Sequence, residues 1–174
     1  DVVTVMAEHI KKVVKDYALG DLNKFEVVPF GIDTKIFNPD NRNIANEKWV
    51  ITSTRNFEDV YNIPHLLQSV SKIRKLIPGL ELNLIGDGSK RKPIEDLVKK
   101  LDLNDCTHFF GKVTQAEIAK VLGRSNVFVT VSLSDGNNIS LNEAMACGAV
   151  CVATEIPANT QWIKNGENGY LVRI

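Results

Sequence analysis

The chain of 174 residues carries no net charge: 21 basic residues stand against 21 acidic ones. That balance argues against a nucleic-acid partner gripped through a broad basic face. Cysteine is scarce. Cys106, Cys147 and Cys151 are odd in number and form no C-x-x-C pair, so no disulfide framework is implied. They read as reduced, buried cysteines of an intracellular protein. The three histidines, His9, His65 and His108, are scattered, with no H-E-x-x-H and no Cys/His spacing. A metal site is therefore not expected. No apolar run reaches the ~18 residues needed to cross a bilayer, and no signal peptide is visible. The first residue is Asp1, which is compatible with a cut-out piece whose targeting segment is lost. A phosphate-binding G-x-x-x-x-G-K-[ST] loop is absent. So are internal repeats and low-complexity stretches.

What remains is an ordinary globular composition, 44% hydrophobic and 24% charged, enough to bury a core. The length suits one domain, or one domain with pieces of another. Apolar runs at residues 2–6, 25–29, 49–53, 80–85, 108–110, 127–131, 150–153 and 170–172 read as strands. Between them, residues 8–17, 63–76, 92–101, 115–122, 139–147 and 159–164 read as helices. Several of the strands are continuous apolar runs, the pattern of parallel strands covered on both faces. The alternation predicts an α/β, Rossmann-like doubly wound parallel sheet. Right-handed crossovers then place every strand's carboxyl end on one edge, where ligands bind. Arg55, Gly86-Asp87-Gly88, Gly111 and Asp135 each follow a predicted strand, so the candidate chemistry collects there. Residues 30–46 lack periodicity, contain Pro39, Gly31 and several Asn, and read as a linker. Residues 1–29 form a separate strand-helix-strand piece, and the main domain is expected at 47–174.

The most informative stretch is SDGNNISLNEAMACG, residues 134–148. Asp135 and Glu143 are separated by seven residues, with the turn Gly136-Asn137-Asn138 between them and a helical run from Ile139. A helix N-terminus offers free backbone N–H groups and a positive dipole end, which suits phosphate. Carboxylates beside it accept hydrogen bonds from hydroxyls. Phosphate plus polyol describes a nucleotide sugar. A blander reading stays open: Ser140-Leu141-Asn142-Glu143 fits a capping box, and Asp135 fits an ordinary turn.

Other segments carry weaker signals. Gly86-Asp87-Gly88-Ser89-Lys90-Arg91 begins like G-x-G-x-x-G, but Arg91 replaces the third glycine, so a tight strand-helix turn is favoured over dinucleotide binding. Arg55 at a strand's carboxyl end can clamp a diphosphate, or can be a solvated surface arginine. Gly111-Lys112-Val113 offers a backbone turn that could meet a flat base edge.

Together these segments resemble the C-terminal half of retaining nucleotide-sugar glycosyltransferases with the GT-B fold, the family numbered four. Residues 25–33 (FEVVPFGID), with Phe37 and Pro39, are similar to the family's VIPNGVDxxxFxP hinge. Leu84-Ile85-Gly86-Asp87-Gly88 resembles its second-strand turn, and Phe109-Phe110-Gly111-Lys112-Val113 its FxGxV segment. The acid, seven residues, glutamate and AMACG match its signature, and residues 165–172 match its NGxNGxLV ending. The likeness covers nearly the whole chain.

The resemblance implies roles. Glu143 binds ribose hydroxyls, and Asp135 contacts the transferred sugar. The backbone of Gly136, Asn137, Asn138, Ile139 and Ser140 faces the sugar and distal phosphate. Arg55 neutralises the leaving diphosphate, and Gly111, Lys112 and Val113 lie beside the base. The implied donor is a UDP-sugar or GDP-sugar, with no cofactor and no metal. The implied acceptor is a glycan or glycolipid, bound through a preceding domain of which residues 1–29 are the end, residues 30–46 being the hinge. It also implies a cytoplasmic location, with peripheral association of the full-length protein at the inner face of the membrane open. Three departures stand out. Asp135 replaces the usual Glu. Tyr61-Asn62 stand near the place of a usual Lys-Gly, which leaves Lys90 or Arg91 as candidate replacements for a lost cation. Gln161 stands where a glutamate is common. Rival readings are a nucleotide-sugar epimerase of the same fold and a noncatalytic sugar-nucleotide-binding module.

Overall fold

A computed structural model describes residues 2–17, 21–44 and 48–174. The short strands β1 (Val3–Val5) and β2 (Phe25–Val27) pair in parallel, with helix α1 (Glu8–Asp16) between them in sequence. The main sheet has six strands: β3 (Val50–Ser53), β4 (Glu81–Ile85), β5 (Thr107–Gly111), β6 (Val127–Thr130), β7 (Val150–Thr154) and β8 (Tyr170–Val172). Their spatial order is β5-β4-β3-β6-β7-β8, and every pairing is parallel. Counted within the sheet this is 3-2-1-4-5-6, the doubly wound order whose ligand crevice lies where the winding reverses. The reversal falls between β3 and β6. Arg55 follows the first of these strands and Asp135 the second.

The connecting helices are α2 (Ile63–Ile73), α3 (Arg91–Lys100), α4 (Gln115–Gly123), α5 (Ile139–Ala146) and α6 (Pro157–Thr160). Ile63, Leu66, Leu67 and Val70 of α2 recur at helical spacing and are all buried. Strand β6 shows why the sheet needs cover on both sides. Val127 and Val129 pack against one core cluster, with α2 and α3, while Phe128 enters the other, with α4 and α5. Successive side chains of a strand point to opposite faces, so one strand feeds both. Cys106 belongs to the first cluster, Cys147 and Cys151 to the second.

Two sequence expectations shift. The last helix was expected at residues 159–164, but α6 covers Pro157–Thr160. Pro157 occupies the first helical turn, where its fixed φ favours initiation and its missing N–H costs nothing. The expected linker is also more structured than its composition suggests. Phe37 is 1% exposed within the second core cluster. Asn43 N–H donates to the Gly123 carbonyl at 2.8 Å, and a Cβ on Gly123 would lie 1.9 Å from the Asn41 carbonyl oxygen. The part of this segment around Phe37 and Asn41 therefore packs as part of the fold. The expected boundary between residues 46 and 47 lies outside the described residues. Among the described residues no helix is long and apolar enough to cross a membrane.

Candidate functional site

Helix α5 is held at the switch point by buried amides. Its N-cap is Asn138, whose side-chain oxygen accepts from Leu141 N–H at 3.2 Å. The Asn138 amide in turn donates to Asn159 Oδ1 at 2.8 Å, and Asn159 donates to the Thr154 carbonyl at 2.9 Å. Both asparagines are fully buried. Ser140 does not cap the helix; its hydroxyl donates to the Thr54 carbonyl at 3.2 Å. The capping-box reading of Ser140 and Glu143 is thereby excluded. The backbone N–H groups of Gly136, Asn137, Asn138 and Ser140 have no partner among the described residues, whereas that of Ile139 donates to the Asn137 carbonyl at 3.0 Å. Free donors at a helix N-terminus and in the turn leading into it suit an anion.

Glu143 lies one turn into α5, 8% exposed, and its carboxylate has no hydrogen-bond partner among the described residues. Burial pushes its pKa up to about 7, with Arg55 opposing that rise through its charge. A cavity of about 310 Å³ opens beside it, lined by Ser140, Thr54 and Gly86, and by the turn Gly111, Lys112 and Val113. The structure thus brings Glu143 together with the turn expected to face a base. Gly111 has φ +68°, and nothing lies within 4 Å of where a Cβ would sit, so that edge is open. Gly86 has φ +138°, and a Cβ there would be 2.4 Å from the Arg55 carbonyl oxygen. Only glycine permits this approach of the β4 turn to the end of β3.

Arg55 and Asp135 stand outside that cavity and are engaged with each other. The Arg55 guanidinium forms an ion pair with the Asp135 carboxylate and donates to Asn138 Oδ1 at 3.1 Å. Arg55 is 8% exposed, and its Nε is buried without a partner. Its face lies 4.3 Å from the centre of the Tyr61 ring. Asn137, 6% exposed, accepts from Trp162 Nε1 at 3.1 Å and Gln161 Nε2 at 3.4 Å, while its own amide nitrogen is buried and unpartnered. Gln161 thus supports the turn between the two acids.

The candidate replacement cations are paired with carboxylates of their own surroundings. Lys90 pairs with Asp59 at 2.7 Å. Arg91 pairs with Glu95 at 2.5 Å and stacks against Phe57 and Phe109. No group of three or more His, Cys, Asp or Glu that could hold a metal occurs among the described residues.

Three contributors escape a sequence reading. Asn159 is buried behind the helix cap. Met6 and His9 come from the N-terminal piece: His9 Nε2 lies 3.2 Å from the Asp135 carbonyl oxygen, and a Cβ on Gly136 would lie 2.7 Å from Met6 Sδ. A polar residue past Pro157 and a methionine near the N-terminus carry no local signature of such contacts.

A parallel 3-2-1-4-5-6 sheet with its crevice at the switch point is the doubly wound fold, and its match to solved glycosyltransferase structures identifies it as one half of a GT-B fold. The family model for glycosyl transferases group 1 matches residues 34–173, and the chain belongs to that family. It is 30% identical over 131 residues to N-acetyl-alpha-D-glucosaminyl L-malate synthase of Bacillus anthracis, covering 75% of this chain and 34% of that protein. The chain thus spans about a third of the length of that relative. The pneumococcal O-GlcNAc transferase GtfA, solved with UDP and GlcNAc, superposes with a TM-score of 0.84 at 21% identity, over 100% of this chain and 34% of that one. The C-terminal domain of a glycosyl transferase group 1 family protein from Francisella tularensis gives a TM-score of 0.72 at 25% identity, over 82% and 80% of the two chains.

Proposed function

We propose that this chain is the donor-binding half of a retaining glycosyltransferase. The complete protein would move a hexose of mannose or glucose type from a UDP-sugar or GDP-sugar to a glycan or glycolipid. The observation that carries this reading is Glu143, a buried carboxylate without a partner, one turn past four free backbone donors. Glu143 lines the cavity, so its carboxylate is available to accept hydrogen bonds from a ligand there. Two adjacent ribose hydroxyls are suited to donate them. The free N–H groups at Gly136, Asn137, Asn138 and Ser140 then meet the distal phosphate and the sugar, and Gly111, Lys112 and Val113 meet the base. As the bond from the sugar's anomeric carbon to the diphosphate oxygen breaks, the electron pair leaves with the diphosphate. Fixed donors and Arg55 stabilise that growing charge, the electrostatic mode of catalysis, and no metal is assigned a part. The acceptor hydroxyl oxygen forms its bond from the same face and gives its proton to the departing diphosphate oxygen, and the acceptor is supplied by the preceding domain. The reading carries a cytoplasmic location, with the full-length protein peripheral to the inner membrane face when its acceptor is a glycolipid.

Calorimetric titration of the full-length protein with UDP and GDP tests it. One of the two binds, and Glu143→Gln weakens that binding about tenfold, as expected for losing a charge-assisted acceptor. Unchanged affinity in a folded variant overturns the assignment. The pairing of Lys90 with Asp59, of Arg91 with Glu95 and of Arg55 with Asp135 favours a second reading, a noncatalytic sugar-nucleotide-binding module. Turnover by the full-length protein separates the two.

A further inference from the structure

We propose that Tyr61 is a positioning residue that holds Arg55 in place while the arginine exchanges one anionic partner for another. The inference rests on the donor-binding reading and concerns a residue with no assigned part in it. Its ground is a closed circuit of contacts. The single helical turn Asp59–Tyr61 presents the Tyr61 ring to the Arg55 guanidinium at 4.3 Å. Arg55 pairs with Asp135. Two residues before Asp135, Leu133 N–H donates to the Val60 carbonyl at 2.8 Å, which stitches the acidic loop back to the turn bearing Tyr61.

The chemistry of the stack explains what it does. A guanidinium offers five N–H donors, all in its plane. Asp135 and Asn138 use donors at the outer nitrogens, and Nε–H has no partner. Tyr61 uses none of them, because a ring attracts the cation through its face. When a diphosphate displaces Asp135, the in-plane donors turn to it, and the stack persists through the exchange. A lysine at this place would repel Arg55 instead. The aromatic residue therefore substitutes orientation of one cation for the presence of two. In the ligand-free protein Arg55 is paired with Asp135, and the arriving diphosphate takes that carboxylate's place on the guanidinium.

The test is a double-mutant cycle in the full-length protein, titrated with UDP, GDP, uridine and guanosine. Tyr61→Ala and Tyr61→Leu are each expected to weaken the bound nucleoside diphosphate about tenfold. The corresponding nucleoside keeps its affinity, because it has no phosphate for Arg55 to meet. Tyr61→Phe, which restores the ring, recovers the loss. In an Arg55→Ala background, Tyr61→Ala adds nothing further. The proposal is overturned if nucleoside and diphosphate weaken alike. It also fails if the loss survives in the Arg55→Ala background, or if phenylalanine does not recover it. Failure of both UDP and GDP to bind would instead overturn the donor reading, and this inference with it. Melting curves of each variant confirm that the comparisons are made on folded protein.

Discussion

Glu143 makes the protein's stability depend on pH. Burial pushes its carboxyl up to about 7 in the folded chain, from about 4.5 for a free glutamate. Between those values the folded state holds a proton that the unfolded chain has released. Stability is therefore greatest below about 4.5 as far as this group is concerned, and it falls as pH rises through about 7. The loss is on the order of 2 kcal/mol once partial hydration is allowed for. Glu143→Gln should remove this dependence and melt above the wild type at pH 8, while the two melt alike at pH 5. Parallel melting curves at both pH values would sink the idea. The same group also sets how binding responds to pH. A ribose that hydrogen-bonds the carboxylate favours the ionised form, so nucleotide binding releases a proton and tightens as pH rises through about 7.

Among the elements, α5 depends most on one side chain. Asn138 caps the helix, orders Asn159 and accepts from Arg55. Asn138→Ala should cost about 2 kcal/mol, combining a lost cap with buried partners left unmet. Chemical denaturation would measure it, and a loss under about 0.5 kcal/mol, the level of a surface change, would contradict the account. The same helix shows how far the sequence could be read. The motif Ser140-x-x-Glu143 has the form of a capping box, yet the box that forms is Thr114 with Glu117 on α4. Spacing cannot separate the two. What separates them is Asn138, which takes the cap two residues earlier and leaves Glu143 free. The strands were legible because continuous apolar runs mark buried parallel strands, and alternation with helices pointed to a doubly wound sheet, whereas the order within it comes from the structure. The packed segment around Phe37 was not legible, because turns and single helical turns have no period to detect. Contacts across more than a hundred residues, such as His9 with Asp135, leave no local trace at all.

At the scale of the whole molecule the winding that makes the crevice also divides the core. One cluster lies under α2 and α3, the other under α4 and α5, with the sheet between them. Each contains thiol: Cys106 in the first, Cys147 and Cys151 in the second. Burial raises all three, Cys151 to about 12, so none is a ready nucleophile while its surroundings stay closed. A disulfide reagent can then react only as fast as each half opens. Labelling under native conditions, followed by peptide mass, should give slow modification at every site. Cys147 and Cys151 should move together, and Cys106 on its own course wherever the two halves open separately. Complete reaction within the mixing time would show that the burial is not maintained in solution. The three cysteines, none of them in a disulfide, thereby act as clocks on either side of a wall. Adding a nucleotide and watching which clock slows would report on which side of the sheet its stabilisation is felt.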